Sequence, residues 1–594
     1  MKLLTAYPLL SAVWFSSWVS CGAARLLNSL SELRVDAQYD FIIVGGGTAG
    51  SVLANRLTEN GEFNVLVVEA GGSNEDILNS EVPYLANSLI NGPLDWNYST
   101  VPQAGANERR ISTPRGFALG GSSSINTMLW YRGSDDMWDN FAKLVGDEDW
   151  AWKSVSKYYL KTSRLVTPQD GRDTTGQVDP SAHGDGPVNV TLSSYPQPVI
   201  GTVQDAVEKS GGRYTFNLDY NSGNTLGIGW AQCNIGGGVR NSAAAAYLEP
   251  AMQRANLDIL IHTRAVKLHP VNVSKGIPSI NTVELASDAN GPRVNVTASK
   301  EIILSAGTLN TPQLLLLSGI GPKNDLDALD IPVVLDSPGV GANLTEQPFL
   351  PNVFSVTPST ETLDELLRDT TVQAQILSHW QENKTGPYVN ALVPIQGNWK
   401  LPAGFEDPSS GPGSGNVMVV FIPSYFQYNA PPSAGRYFSV ASAILSPKSR
   451  GSLKLSSSNP FDPPLVDYAF YSNDFDLNAH VEAMKMIEDF LSLPQFEGIV
   501  QGPFGDQANA TTDQEKAAFA RANVQVYSHP TSSASMGPGG VVDSKLKVKG
   551  IGGLRIIDAS IFPQIPECNT QAPVYIVAEK AADLLKNDYS SYPN

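Results

Sequence analysis

The sequence predicts an α/β fold in which a Rossmann-type unit is assembled from separated parts of the chain and a second domain fills the intervals. Three observations predict it. A short apolar β-type run, Tyr39 to Val44, breaks into Gly45-Gly46-Gly47-Thr48-Ala49-Gly50 and then into a segment with the helical spacing Val52, Leu53, Ala54 and Leu57. A second strand, 64–68, follows that helix and ends on Glu69, 19 residues after Gly50. Further strand-then-helix pieces lie far along the chain, at 301–307 with 312–317 and at 554–558 with 573–586.

The first of these units is a βαβ element with a right-handed crossover. Gly45, Gly47 and Gly50 allow a tight turn and let backbone approach a pyrophosphate, which then sits on the positive end of the helix opened by Thr48 and Ala49. Glu69 stands where a carboxylate can accept a bond from a ribose. This pattern points to an ADP-containing dinucleotide and does not choose between FAD and NAD. Segments 165–188 and 402–415, rich in Gly, Pro, Ser, Thr and Asp, read as surface loops. Segments 417–421 and 437–445 have β-type composition, and 474–491 has the pattern of an amphipathic helix.

Composition narrows the function classes. With 58 acidic against 40 basic residues the chain carries a formal charge of −18, which repels phosphate backbones and anionic lipid, so neither a nucleic-acid nor a membrane partner is expected. Residues 1–24 read as a secretory signal: Lys2, an apolar stretch to Val19, then small residues around Cys21. Sequons at Asn97, Asn189, Asn272, Asn295, Asn343, Asn383 and Asn509 fit a secreted glycoprotein. Cys233 and Cys568 are read as two buried thiols, and no metal-ligand spacing occurs.

The chemistry lies in longer motifs. Pro114-Arg115-Gly116-Phe117-Ala118-Leu119-Gly120-Gly121-Ser122-Ser123-Ser124-Ile125-Asn126 places glycines and small hydroxyls where backbone can lie against a flat ring or a diphosphate. With the segment 305–321, Tyr527-Ser528-His529-Pro530, Val541-Val542-Asp543, 554–560 and the stretch from Asn569-Thr570 to Asp583, it resembles the glucose-methanol-choline (GMC) oxidoreductases over residues 38–587, in order. Fungal aryl-alcohol oxidases are the subgroup it is most similar to.

The resemblance implies an FAD-binding domain formed from parts of 36–340 and from 526–594. It also implies a substrate domain mainly in 341–525, built on an antiparallel sheet flanked by helices. The FAD set it implies is Gly45, Gly47, Thr48, Ala49, Gly50, Glu69, Ala70, Arg115, Gly120, Gly121, Ser122, Asn126, Thr127, Val266, Asp558, Ala559, Thr570 and Gln571. Some members attach FAD through a histidine near Asn126; none stands there, so the flavin is expected to be non-covalent.

It further implies hydride transfer from a substrate carbon to flavin N5, with His529 as base and Asn569, at a position where members carry His or Asn, orienting the alcohol oxygen. An imidazole of ordinary pKa near 6.5 is neutral at working pH and suits that task. His183, His262, His269, His379 and His480 lie outside any such motif and read as structural.

The implied function is oxidation of a primary aromatic or unsaturated alcohol, with O2 or a quinone as acceptor, by a monomer or homodimer. A non-redox lyase or cyclase on the same scaffold is the alternative. The chain departs from the family in three places. Ser532-Ser533 stand where Gly-Thr is usual, and Glu346-Gln347 stand where Asp-His is usual. Thr127 and Ser528 stand where aryl-alcohol oxidases carry rings, which favours a smaller or more oxygenated substrate. Tyr425, Phe426 and Tyr428 could supply aromatic walls but read as packing residues.

Overall fold

Six short strands, four of them entirely apolar or nearly so, form a parallel sheet because each is buried on both faces. A computed structural model describes residues 24–34, 36–271 and 277–589. Most of the segment read as a secretory signal, up to residue 23 and including Cys21, and the sequon asparagine 272 lie outside the described residues. In spatial order the sheet reads Arg25–Leu27, Leu257–Leu260, Val65–Val68, Tyr39–Val44, the end of Val294–Leu304, and Leu554–Ile556. Phe41, Ile42, Ile43, Val65, Leu66 and Val67 have no exposed surface. The outer strand is held by charge as well as by backbone: Arg25 Nε donates to Asp258 at 2.8 Å and Tyr39 Oη donates to the same carboxylate at 2.7 Å.

The helix after the glycine turn, Thr48–Thr58, starts three residues before the apolar periodicity indicates. It presents Val52, Leu53 and Leu57 to the core and packs against the last helix, Gln571–Tyr589. That last helix contains the anticipated 573–586, and Val294–Leu304 with Gly307–Leu317 contains the anticipated strand-then-helix pair. Among the strands the sequence pattern did not single out are Arg25–Leu27, Leu257–Leu260 and Ser279–Ala286. They are short or broken by polar residues such as Asp258, whose charge the sheet accommodates only because Arg25 and Tyr39 meet it.

The second sheet is antiparallel, as expected for the substrate domain. Its order is Val500–Pro503, Val353–Val356, Tyr437–Ile444, Val417–Ile422, Ile395–Trp399 and Gly227–Trp230. Pro348–Leu350 links Tyr437–Ile444 to Gln525–Val526. Helices Asp474–Leu491 and Pro198–Glu208 cover one face through Ala483, Ile487, Phe490 and Val203. The other face, carrying Met418, Val420, Ile422, Ala441 and Ala443, packs into the core shared with the parallel sheet. The segments 402–415 and most of 165–188 are turns and loops. Cys233 and Cys568 are separate buried thiols, and no helix among the described residues is long and apolar enough to cross a membrane.

Candidate active site

One continuous cavity is bounded by elements of both sheets. On the parallel-sheet side it is lined by Gly45, Gly47, Thr48, Ala49, Glu69, Ala70, Arg115, Gly121, Ser122, Asn126, Thr127, Asp558 and Ala559. His529, Asn569, Thr570 and Gln571 complete the wall toward the second sheet. The sequence-derived residues therefore come together, with three exceptions. The cavity touches Thr263, Arg264 and Ala265, while the Val266 side chain, 3% exposed, is packed in the core of its strand. Gly120 gives its N–H to the Gly46 carbonyl. Gly50 lies behind the turn, where an added Cβ would stand 1.9 Å from the Gly45 oxygen.

The cradle fits a dinucleotide. Gly45 has φ +105°, which admits glycine and few others. Gly47 and Gly121 meet backbone to backbone: a Cβ on Gly121 would lie 2.7 Å from Gly47 Cα. Between them the first turn of Thr48–Thr58 opens onto the cavity, where helix N–H groups have no intrahelical acceptor and favour an anion. Glu69 is tied more firmly than a simple ribose acceptor: its two oxygens take the Gly46 and Gly71 N–H groups at 2.8 Å each, and burial raises its pKa to about 7. Half of its lone-pair capacity remains for a ligand hydroxyl. Asp558 likewise holds Gly307 N–H and the Thr311 hydroxyl, fixing the start of Gly307–Leu317.

Gln525–Val526 leads directly into Tyr527-Ser528-His529. Ser528 has φ +67°, and its carbonyl accepts from Arg115 Nη2 at 2.7 Å. The His529 N–H is received by both oxygens of Glu346 at 2.9 Å. Its ring lies 4.3 Å from the Tyr527 ring, with Nδ1 at 2.8 Å from Gln347 Oε1 and Nε2 at 3.3 Å from Asn569 Nδ2. Burial lowers the His529 pKa to about 3, and the Arg115 guanidinium acts in the same direction, so the imidazole is neutral. A neutral ring with Nε2 facing the cavity is a proton acceptor.

Asn569, just ahead of Gln571–Tyr589, keeps a buried Oδ1 without a partner. Asn126 is fully engaged by Met128 N–H, Arg240 and Gln571. None of the other five histidines lines the cavity; His183 bonds Gln232 and Ser163, and His480 bonds Tyr471.

The walls near His529 differ from the expectation drawn from Thr127 and Ser528. Both hydroxyl residues line the cavity, but rings arrive from elsewhere: Tyr527 stacks on Phe349 at 4.8 Å and 7°, Phe349 meets Phe426 edge-on, and Phe426 meets Tyr428. Leu392, Val393, Val420 and Ile422 complete this apolar wall. Tyr425 alone of its trio behaves as a packing residue, against Val353 and Tyr437. Sequence reasoning also passed over Glu346 and Gln347 as functional groups. Their signal was the replacement of the usual Asp-His pair, whose contact with His529 appears only in three dimensions.

Comparison with known proteins agrees with this geometry. Residues 39–349 and 447–578 match the N- and C-terminal regions of GMC oxidoreductases, so the chain belongs to that family and is an FAD-dependent oxidoreductase of it. It is 34% identical to the dehydrogenase eriK of Hericium erinaceus, covering 97% of this chain and 99% of the relative, and 35% identical to a pyranose dehydrogenase of Agaricus campestris, covering 94% and 95%. Among solved structures it resembles an Aspergillus oryzae formate oxidase variant studied for FAD modification (TM-score 0.86, 29% identity, 94% and 99% covered). It also resembles a fungal aryl-alcohol oxidase (TM-score 0.80, 27% identity, 94% and 100% covered).

Proposed function

We propose that the protein oxidises an aromatic or unsaturated primary alcohol to the aldehyde, with His529 as the base. The observation that carries this is the neutral His529 imidazole, its Nε2 facing an apolar wall beside the Asn569 amide. FAD, which the glycine cradle and Arg115 would hold, would supply the acceptor for the hydride and, with it, the two electrons the alcohol loses. The substrate hydroxyl gives its proton to His529 Nε2 while Asn569 Nδ2 donates to the hydroxyl oxygen and holds it in place. Phe349 and Phe426 receive a flat carbon skeleton, while Tyr428, half-exposed, lines the same cavity. Apart from Thr127 and Ser528, the wall formed by Phe349, Phe426, Leu392, Val393, Val420 and Ile422 is apolar, which favours a largely apolar carbon skeleton.

Non-covalent FAD is supported by the lining: His529 is its only histidine and it contains no cysteine. Secretion is supported by the exposed sequon asparagines Asn97, Asn295, Asn343, Asn383 and Asn509; Asn189, half-buried in a strand, is a poorer acceptor. Either O2 or a quinone serves as final acceptor in this reading. The test is stopped-flow flavin reduction with a panel of benzylic and allylic alcohols and pyranoses. Fast reduction by the alcohols, and a loss of about 10³-fold or more in His529→Ala with FAD content unchanged, are expected for a removed base. Reduction by pyranoses alone, or an unaffected His529→Ala, sinks the reading.

A further inference from the structure

We infer that Gln347 is the positioning residue for His529: its amide locks the imidazole with the proton on Nδ1 and the lone pair on Nε2, the nitrogen that faces the cavity beside the Asn569 amide. The inference rests on the reading of His529 as the base. Gln347 has no exposed surface, and its side-chain atoms are committed without slack. Nε2 donates to the Leu445 carbonyl at 3.1 Å and to the Pro566 carbonyl at 3.0 Å. Both acceptors are carbonyls, so the two amide protons must point at them. Turning the amide over would set its oxygen against two carbonyl oxygens and strand two buried acceptors. The orientation is therefore fixed by chemistry, and Oε1 faces His529 Nδ1 at 2.8 Å as an acceptor only. Nδ1 must be the protonated nitrogen, and Nε2 the basic one.

The three groups tied by this one amide belong to three separate segments. Pro566 lies three residues before Asn569, Leu445 directly follows the strand Tyr437–Ile444, and His529 follows Gln525–Val526. One side chain thus sets the distance between base and Asn569 as well as the tautomer. The surroundings of the ring complete the account: Arg115 bonds the Ser528 carbonyl, Glu346 takes the His529 N–H, and the Tyr527 ring and Asn569 amide flank it. None of them competes for Nδ1. An amide cannot take the Nδ1 proton, so the proton received at Nε2 stays on His529 until it leaves by the cavity side.

The test uses holoenzyme. Gln347→Leu removes the acceptor, and flavin reduction should fall about 100-fold, the scale of a base displaced by an ångström, with FAD content unchanged. Gln347→Glu places a carboxylate against Nδ1–H. It should move the acid limb of the pH profile for flavin reduction to higher pH, a shift that loss of packing alone does not produce. Wild-type holoenzyme with 15N-labelled histidine should show, for the resonance lost in His529→Ala, a protonated Nδ1 and an unprotonated Nε2 at neutral pH. That measurement decides the matter if either variant fails to retain FAD. A protonated Nε2, or Gln347 variants with wild-type rates and pH profile while His529→Ala is inactive, overturns the inference. Wild-type reduction by His529→Ala instead overturns the reading beneath it.

Discussion

His529 is bracketed by two residues in the left-handed region, Ser528 at φ +67° and Ser532 at φ +76°. A Cβ there costs about 1–3 kcal/mol, and Ser532 occupies the place where relatives carry glycine. Ser532→Gly should raise stability by about 1 kcal/mol after the glycine's larger unfolded-state entropy is subtracted, read as a shift in the denaturation midpoint. Beneath the same loop, burial raises the Glu346 pKa to about 8. The folded group keeps a proton that the unfolded chain releases near its ordinary pKa. Its contribution to stability is full below pH ~4.3 and is lost as pH rises through about 8. Glu346→Gln should flatten the fall of stability between pH 4.5 and about 8, measured by urea unfolding across that range. The proposed base was nameable at this scale, since His529-Pro530 and Asn569 sit in recognisable motifs. Gln347 was not, because its partners Leu445, Pro566 and His529 lie 98, 219 and 182 residues away.

At the scale of elements, motif and structure meet most closely where one segment contains both strand and turn. Tyr39–Val44, the glycine turn and Thr48–Thr58 are local: alternating roles of apolar residue, glycine and helix former are written side by side. Asp558 shows the opposite case. Its Oδ2 takes the Gly307 N–H at 2.9 Å and the Thr311 hydroxyl at 2.6 Å, while Oδ1 takes Ser560. A residue read for its cofactor side is thus also the cap of a helix that starts 251 positions upstream in the chain. Asp558→Ala leaves those buried donors unpaired and should cost about 2–4 kcal/mol by calorimetric unfolding of the apoprotein, apart from any effect on FAD. The aromatic wall was illegible for a related reason. Phe349, Phe426 and Tyr527 come from three strands or their ends, and no local period reveals that they converge.

At the scale of the whole molecule, the cavity lies between two sheets whose shared core runs through Met418, Val420, Leu119 and Ile557. Filling it should stiffen both sheets together. Removing FAD should lower the melting temperature in a single transition. At a free FAD concentration 100 times Kd, the difference in stability should be about 2.7 kcal/mol, and two separate transitions would contradict a common core. The sequence order of the sheets was partly readable from the strand motifs. The interleaving was not: Gly227–Trp230 joins the second sheet although it lies between strands of the first.

The pairing of Leu304 with Ile556 also sets a schedule for the ribosome. These partners in the parallel sheet are 252 residues apart in the chain (556 minus 304). At roughly 5–20 residues per second, tens of seconds separate the emergence of one from the other. Throughout that interval Ile302–Leu304 lacks the partner Leu554–Ile556, and Asp558, Asn569 and Gln571 do not yet exist to close the cavity. The parallel sheet and the cavity are thus completed together, by the last strand Leu554–Ile556 and the residues that follow it.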